Sequence, residues 1–307
     1  MTTLAERLPE RVAEHTPRRK HRFTRRTREA LLGYALVLPS LVVFGTFAFY
    51  PFIKNAWLGL YRTPPFPDLP RRWAGLDQYR EVLTSDVFTN SFWVTVKFVL
   101  LTVPLGIALG LALAVLAHQQ LRGIAFFRTV FSSTVVTSVA VASLISLTLL
   151  NPQIGLLNYA FGRTGALSPL DDPRWALIAV AGVTVWQNLG LSFIIMSAGL
   201  QAVPDELIEA ARVDGAGTWS RFRNVTLPLL SPTLFFAIVV GSILAFHSFG
   251  QIDLLTQGGP QDRTNVLVYA IYRTVFTENN DGKAAVLAMA LFAITLVLTV
   301  VQLRLLE

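Results

Sequence analysis

Trp186, Gln187 and Asn188 stand in the middle of a long apolar run, with Thr184 just before them and Ser192 one turn on. An indole beside two carboxamides can stack on the C–H face of a polyhydroxylated molecule and hydrogen-bond its hydroxyls, without doing covalent chemistry itself. Thr184, Asn188 and Leu191 share a helical face at i, i+4 and i+7, with Gln187 alongside. A second polar group closes another apolar run: Phe246, His247, Ser248 and Gln251, followed by Asp253. Polar side chains in such runs face a bundle interior or a water-filled path. The plainer reading is hydrogen bonding between packed helices, worth about 1 kcal/mol or less per bond.

Little else in the chain has the spacing of chemistry. The four histidines, His15, His21, His118 and His247, are scattered, and no acidic ligands cluster with them. A membrane enzyme therefore finds no catalytic constellation. Cysteine is absent, which removes disulfides, thiolate metal sites and a catalytic thiol. No phosphate-cradling G-x-x-x-x-G-K-[ST] loop occurs, the nearest approach being Gly282-Lys283-Ala284, so the chain cannot hold ATP phosphates itself.

The elements that carry these residues are membrane spans. Only 15% of the 307 residues are charged and 53% are hydrophobic, with a mean hydropathy of +0.52. Soluble domains carry about a quarter charged residues. A bilayer core takes about 20 apolar residues in helical form. Six segments qualify: Leu31–Ile53, Phe98–Ala117, Thr129–Leu150, Leu177–Leu200, Leu229–Phe249 and Ala284–Leu303. The first is uncharged and too long for a signal-peptide core, so it reads as a retained helix. Residues 1–30 form a basic tail and residues 31–307 a transmembrane domain. Nine of the 26 Lys and Arg lie in the first 28 residues, among them Arg18, Arg19, Lys20, Arg22, Arg25, Arg26 and Arg28. This fits an arm attracted to membrane lipid headgroups, with no nucleic acid as partner. Six spans put 15 basic residues on the side of the tail and 10 on the other. The positive-inside bias then places both termini and the 201–227 loop in the cytoplasm. None of the spans has an interior Asp or Glu, which argues against a secondary transporter or channel driven by ion coupling.

The 201–227 loop is a polar, helix-forming insert in an apolar chain. Pro204, Asp205 and Glu206 suit a helix start. Leu207, Ile208 and Ala211 share a face, Gly215 and Gly217 end the helix, and Thr218 is a candidate N-cap for a second helix. Trp219, Phe222 and Val225, at three-residue spacing, are expected to hold that helix against the bundle. A DNA-reading helix-turn-helix shares this local syntax but not its place between two spans. An ordinary connecting loop is the simpler alternative.

Glu209-Ala210-Ala211, Gly215, Val225 and Leu227-Pro228 resemble the EAA loop of binding-protein-dependent ABC importer permeases, with Val where Ile is commoner. Three more features resemble the carbohydrate-type branch that includes the maltose and glycerol-3-phosphate permeases. They are Trp73-Ala74-Gly75-Leu76-Asp77-Gln78-Tyr79, Asp214-Gly215-Ala216 and Leu254-Leu255-Thr256-Gln257-Gly258-Gly259-Pro260.

The resemblance implies an all-α, six-helix type I importer permease of the bacterial cytoplasmic membrane. ATPase coupling would fall to Glu209, Ala210, Ala211, Asp214 and Gly215. It implies a second homologous permease subunit, two ATP-binding subunits and an extracytoplasmic substrate-binding protein, with ATP and Mg held by the ATPase and no cofactor in this chain. Carried over from the maltose permease, the substrate path would run by Thr184, Gln187, Asn188, Leu191, Gly241, Ala245 and Ser248. Trp186, Phe246 and His247 join it on the polar and aromatic character of the two runs. Ala245 departs in chemical type, so the same sugar is not implied. The closing residues Leu296–Arg304 and Ile271-Tyr272-Arg273 look most like the glycerol-3-phosphate permease. With no Arg inside a span, a sugar or a glycerophosphodiester suits the path better than a free dianion.

Overall fold

The structure, a computed structural model, describes residues 22–64, 66, 68–118, 123–151, 155 and 168–304. The basic tail through residue 21 and Arg122 lie outside the described residues. Two compact units are distinguished, residues 1–54 and 55–307.

In the first unit, α1 (Arg22–Phe44) runs through a π-helical turn, Gly45–Phe49, into α2 (Tyr50–Leu58), which crosses into the second unit. Helix thus begins nine residues before the expected span, and the last tail residues belong to it. The second unit continues with two-residue strands β1 (Tyr61–Arg62) and β2 (Arg72–Trp73), paired antiparallel with Tyr61 opposite Trp73. It then follows α3 (Asp77–Leu83), α4 (Asp86–His118), α5 (Ile124–Ser133), a 3-10 turn at Thr134–Val136, and α6 (Val139–Leu150). Next come α7 (Ala176–Gln201), α8 (Asp205–Val213), α9 (Thr218–Arg221), a π-helical turn at Phe222–Thr226, and α10 (Leu227–Leu229). The chain closes with α11 (Ser231–Phe246), α12 (Gly250–Leu255), α13 (Leu267–Phe276) and α14 (Asp281–Arg304).

Four helical stretches are long and apolar enough to cross a membrane unbroken: Leu32–Leu58, α4, α7 and α14. The third expected span is bent within its length, and the fifth is bent where it leaves the helix before it. Ile124–Val136 meets Val139–Leu150 at 102°, and Thr218–Leu229 meets Ser231–Phe246 at 65°, so the spans number four, or up to six if each bent pair is one. Composition explains the bends. Ser132 and Ser133 turn their hydroxyls onto backbone carbonyls of Arg128 and Val130, both at 2.7 Å, and Ser138 caps α6 by accepting from the Val141 N–H at 3.3 Å. Such local bonds compete with straight helix. At the other bend, Pro228 and Pro232 each sit near a helix start, where a missing N–H is harmless.

The α4–α7 pair is the most extensive helix contact and the spine of the second unit. Gly106, Gly110, Ala114 and Ala117 form a buried small-residue stripe on α4. A Cβ at Gly110 would lie 2.6 Å from Ser192 Cβ, and one at Gly199 2.6 Å from Thr233 Cγ2, so both crossings are closed to backbone distance. Arg128 seals the end of α4, its guanidinium donating twice to the Ala117 carbonyl at 2.7 and 3.1 Å. Residues 250–283, which lie between the fifth and sixth expected spans, pack tightly: Ile252, Val266, Leu267 and Ala270 are fully buried. Thr95 Oγ1 on α4 accepts the Leu267 N–H at 2.8 Å, satisfying an orphan donor at the start of α13.

Gly110→Val is expected to overpack the α4–α7 crossing by about 2 kcal/mol. Gly182→Ala, which meets nothing within 4 Å, is expected to be neutral. Thermal unfolding of the detergent-purified chain followed by size exclusion checks this, and equal midpoints for the two variants would contradict it.

Candidate functional site

Two breaks in the helices converge on one side chain. The first lies at Thr137 and Ser138, between the 3-10 turn and α6; the second at His247–Phe249, between α11 and α12. Gln187, near the middle of α7, donates from Nε2 to the Thr137 carbonyl at 3.3 Å. Its Oε1 accepts from Gln251 Nε2 at 3.3 Å, and Gln251 Oε1 accepts from Ser248 Oγ at 3.0 Å. The relay therefore runs from one break through α7 to the other. Close packing supports it, since a Cβ at Gly250 would sit 2.7 Å from Val139 Cγ1. Three residues on, Thr134 Oγ1 takes the Gly190 N–H at 2.7 Å.

Beside this relay is a cavity of about 300 Å³ between α4, α7, α11 and the start of α12. Its polar lining comes from Thr102, Thr184, Gln187, Asn188, Ser192, His247, Ser248 and Gln251, and among the described residues it has no Asp, Glu, Lys or Arg. Asn188 Nδ2 is tied to the Thr184 carbonyl at 3.0 Å, which leaves its Oδ1 to the cavity. Thr184 gives its own proton to the Val180 carbonyl at 2.9 Å. His247 Nδ1 lies 2.9 Å from the Ile243 carbonyl, an acceptor only, so that nitrogen carries a proton. Phe249 lines the same space and stacks on Tyr269 with centroids 6.0 Å apart. The arrangement offers amide and hydroxyl partners and one aromatic face to a small hydroxylated solute.

Of the residues singled out from sequence, Thr184, Gln187, Asn188, Leu191, Gly241, Ala245, His247 and Ser248 line this cavity together. Trp186 and Phe246 do not. Trp186 points into an apolar groove with Ile145, Leu149, Trp175 and Ile178. Phe246 is buried among Val82, Leu267, Val286 and Leu287. The aromatic in the cavity is Phe249, which position alone did not separate from Phe246, and the residue that completes the relay is Gln251, already named in the polar group that closes the fifth apolar run. No group of His, Cys, Asp and Glu that could hold a metal ion occurs among the described residues.

The 201–227 loop stands at the other end of α7. Pro204 takes the N-cap position of α8 rather than its first turn, and Asp205 and Glu206 occupy that turn. Gly215 is left-handed at φ +81° and closes a Schellman motif: the Gly215 N–H donates to Arg212 O at 3.1 Å and the Ala216 N–H to Ala211 O at 3.0 Å. Nothing lies within 4 Å of a Cβ there, so its backbone angle, not crowding, demands glycine. Glu209, Ala210 and Asp214 are exposed, and Ala211 is half-buried. One expectation fails and another holds only in part. Gly217, not Thr218, is the N-cap of α9. Of the expected stripe, Phe222 and Val225 are half-buried, but Trp219 is 71% exposed and pairs with Phe222 at 5.6 Å.

The family described as "Binding-protein-dependent transport system inner membrane component" matches residues 103–306. The chain is 36% identical over 279 residues to the sn-glycerol-3-phosphate transport system permease protein UgpA of Agrobacterium fabrum (strain C58 / ATCC 33970), covering 90% of this chain and 95% of the relative. The protein of the same name from Escherichia coli O157:H7 is 33% identical over 282 residues, 91% and 95% of the two chains. Among solved structures, a bacterial ABC transporter involved in the import of the acidic polysaccharide alginate superimposes with a TM-score of 0.79 at 22% identity, over 93% of this chain and 98% of that one. The same kind of transporter in complex with an alginate pentasaccharide-bound periplasmic protein gives a TM-score of 0.78 at 21% identity, over 92% and 96%.

Gln187→Leu and Gln251→Leu are expected to be coupled by about 1 kcal/mol in a double-mutant cycle. Gln187→Leu is the costlier single change, because it also strips the Thr137 carbonyl. Denaturant unfolding in mixed micelles measures the cycle, and additive effects would show the relay to be absent.

Proposed function

This chain belongs to the family of inner-membrane components of binding-protein-dependent transport systems, and on that footing we propose that it forms one half of the pore of an importer for a glycerophospho-compound. It is a transport permease of the ABC importer type, not an enzyme. The cargo class rests on one observation above others, the 33 to 36% identity to UgpA proteins across nine-tenths of the chain. sn-Glycerol 3-phosphate or a glycerophosphodiester is the proposed substrate. A neutral sugar is the second reading, favoured by a cavity lined with amides and hydroxyls and no Lys or Arg.

A second homologous permease completes the pore, and two ATP-binding subunits hold ATP and Mg. An extracytoplasmic binding protein delivers the cargo. Both termini and the 201–227 loop face the cytoplasm, as the basic residues favour. α8 docks in the ATPase, with Glu209, Ala210, Ala211 and Asp214 at the contact. Gly215 sets the angle at which α8 meets the following turn, so ATPase closure moves α7 and α11 together. That motion exposes the cavity beside Gln187 and Asn188 alternately to the two sides. Thr184, Asn188, His247 and Ser248 supply the hydrogen bonds that the cargo's hydroxyls exchange for water.

Gly215→Val forces a branched side chain into left-handed backbone at a cost of about 1–2 kcal/mol. It is expected, like Glu209→Lys, to abolish uptake while the chain still reaches the membrane. Uptake in whole cells alongside immunoblots checks this, and full uptake by both variants would overturn the coupling role.

Asn188→Ala and Gln187→Ala are expected to raise the half-saturating concentration for labelled sn-glycerol 3-phosphate about tenfold, the loss of roughly one hydrogen bond. Unchanged values in both would remove the cavity from the path. Competition by a disaccharide and not by glycerol phosphate would decide for the sugar.

A further inference from the structure

A second cavity, of about 660 Å³, opens where the first turns of α4, the start of α7 and the 256–265 loop meet, at the end of α7 away from the 201–227 loop. Lys97, Arg174 and Arg263, from three different parts of the chain, all line it. All three are exposed, and among the described residues none is paired with a carboxylate. Two neighbouring acids have other partners. Asp262 pairs with Arg273, and Asp172 Oδ1 accepts the Arg174 backbone N–H at 2.8 Å. Asn90 donates to the Asp262 carbonyl at 3.0 Å, which holds the Arg263 loop against α4.

Asn90 apart, the rest of the lining is apolar and includes Trp93, Leu100 and Ile178. Trp93 and Trp175 are 55% and 57% exposed, and exposed Trp side chains favour the level where bilayer meets water. Lys97 adjoins the buried Phe98 at the start of the apolar run of α4, where an unpaired ammonium is costly. A cationic rim over a greasy floor at headgroup depth matches one kind of molecule.

We propose that this cavity binds an anionic phospholipid, its phosphate held by Lys97, Arg174 and Arg263 and an acyl chain lying on Leu100 and Ile178. A free phosphate would use the rim and leave the floor bare. The headgroup would tie α4, α7 and the 256–265 loop together at the interface, so lipid charge would set how easily these elements separate. The site does not depend on the identity of the cargo.

The probe is phosphatidylglycerol. The full-length chain, with whatever partners co-purify, is placed in nanodiscs of phosphatidylcholine carrying a small share of phosphatidylglycerol, and the lipid retained per chain after detergent extraction is measured by mass spectrometry. The triple variant Lys97→Gln, Arg174→Gln, Arg263→Gln is expected to retain at least about tenfold less phosphatidylglycerol, and Lys97→Gln alone about fivefold less. A control triple, Arg62→Gln, Arg71→Gln, Arg72→Gln, keeps the wild-type value. If the first triple is not recovered monodisperse, the single variant carries the test. Equal retention by wild type and Lys97→Gln overturns the proposal. So does displacement of the lipid by millimolar inorganic phosphate at matched ionic strength, which would mark a site for a soluble anion. Unchanged lipid with loss of a co-purifying subunit overturns it too, in favour of a protein interface.

Discussion

A broken helix inside a membrane leaves backbone groups that no water can reach, and some side chain has to satisfy them. In this permease Gln187 meets that constraint for one break and is joined to the other. Its amide N–H takes up the Thr137 carbonyl, and its oxygen receives Gln251 from beyond the second break. A carboxamide suits the task because it donates and accepts at once without charge. A carboxylate could not donate to the carbonyl, and an ammonium could not accept from Gln251. The two breaks are thereby held around one point on a straight helix, and the cavity forms in the space beside it.

The remaining packing keeps α7 where that junction needs it. The glycine stripe of α4 lets Ser192 approach to backbone distance, and Thr95 and Arg128 close the exposed ends of α13 and α4. The cavity is neutral and hydroxyl-seeking, whereas Lys97, Arg174 and Arg263 meet in a second cavity at the end of α7 away from the 201–227 loop. The proposed entry point for energy, α8, lies apart from both, and its Schellman turn at Gly215 is fixed by backbone geometry alone and meets no neighbour.

The 201–227 loop was the most legible feature, because a polar helix in an apolar chain announces itself and Gly215 can be read from its place after a helical stripe. The cavity face on α7 was nearly as clear, since Thr184, Asn188 and Leu191 repeat at helical spacing. That same spacing explains the misplacement of Trp186. Two residues from both Thr184 and Asn188, it is turned about 200° from each and must face the other way. Phe246 is likewise off the line of Gly241, Ala245 and Ser248. The packed 250–283 region was not legible, because α12 and α13 are short and mixed in composition, and only contact with α4 and α7 buries them. Nor were the sharp bends, for hydropathy counts apolar residues and is blind to the Ser-Thr run at 132–138 that turns the chain. The cationic cavity was equally hidden, since Lys97, Arg174 and Arg263 come together only in the fold.

The native absence of cysteine makes the central claim directly measurable. Asn188→Cys, Leu191→Cys and Trp186→Cys can be introduced singly and treated, in the assembled transporter, with a small water-soluble thiol reagent. With the cavity beside Gln187 as the path, Asn188→Cys and Leu191→Cys react, and transported cargo protects both. Trp186→Cys gains no protection. Protection of Trp186→Cys with an inert Asn188→Cys would put the path on the opposite face of α7 and contradict the account.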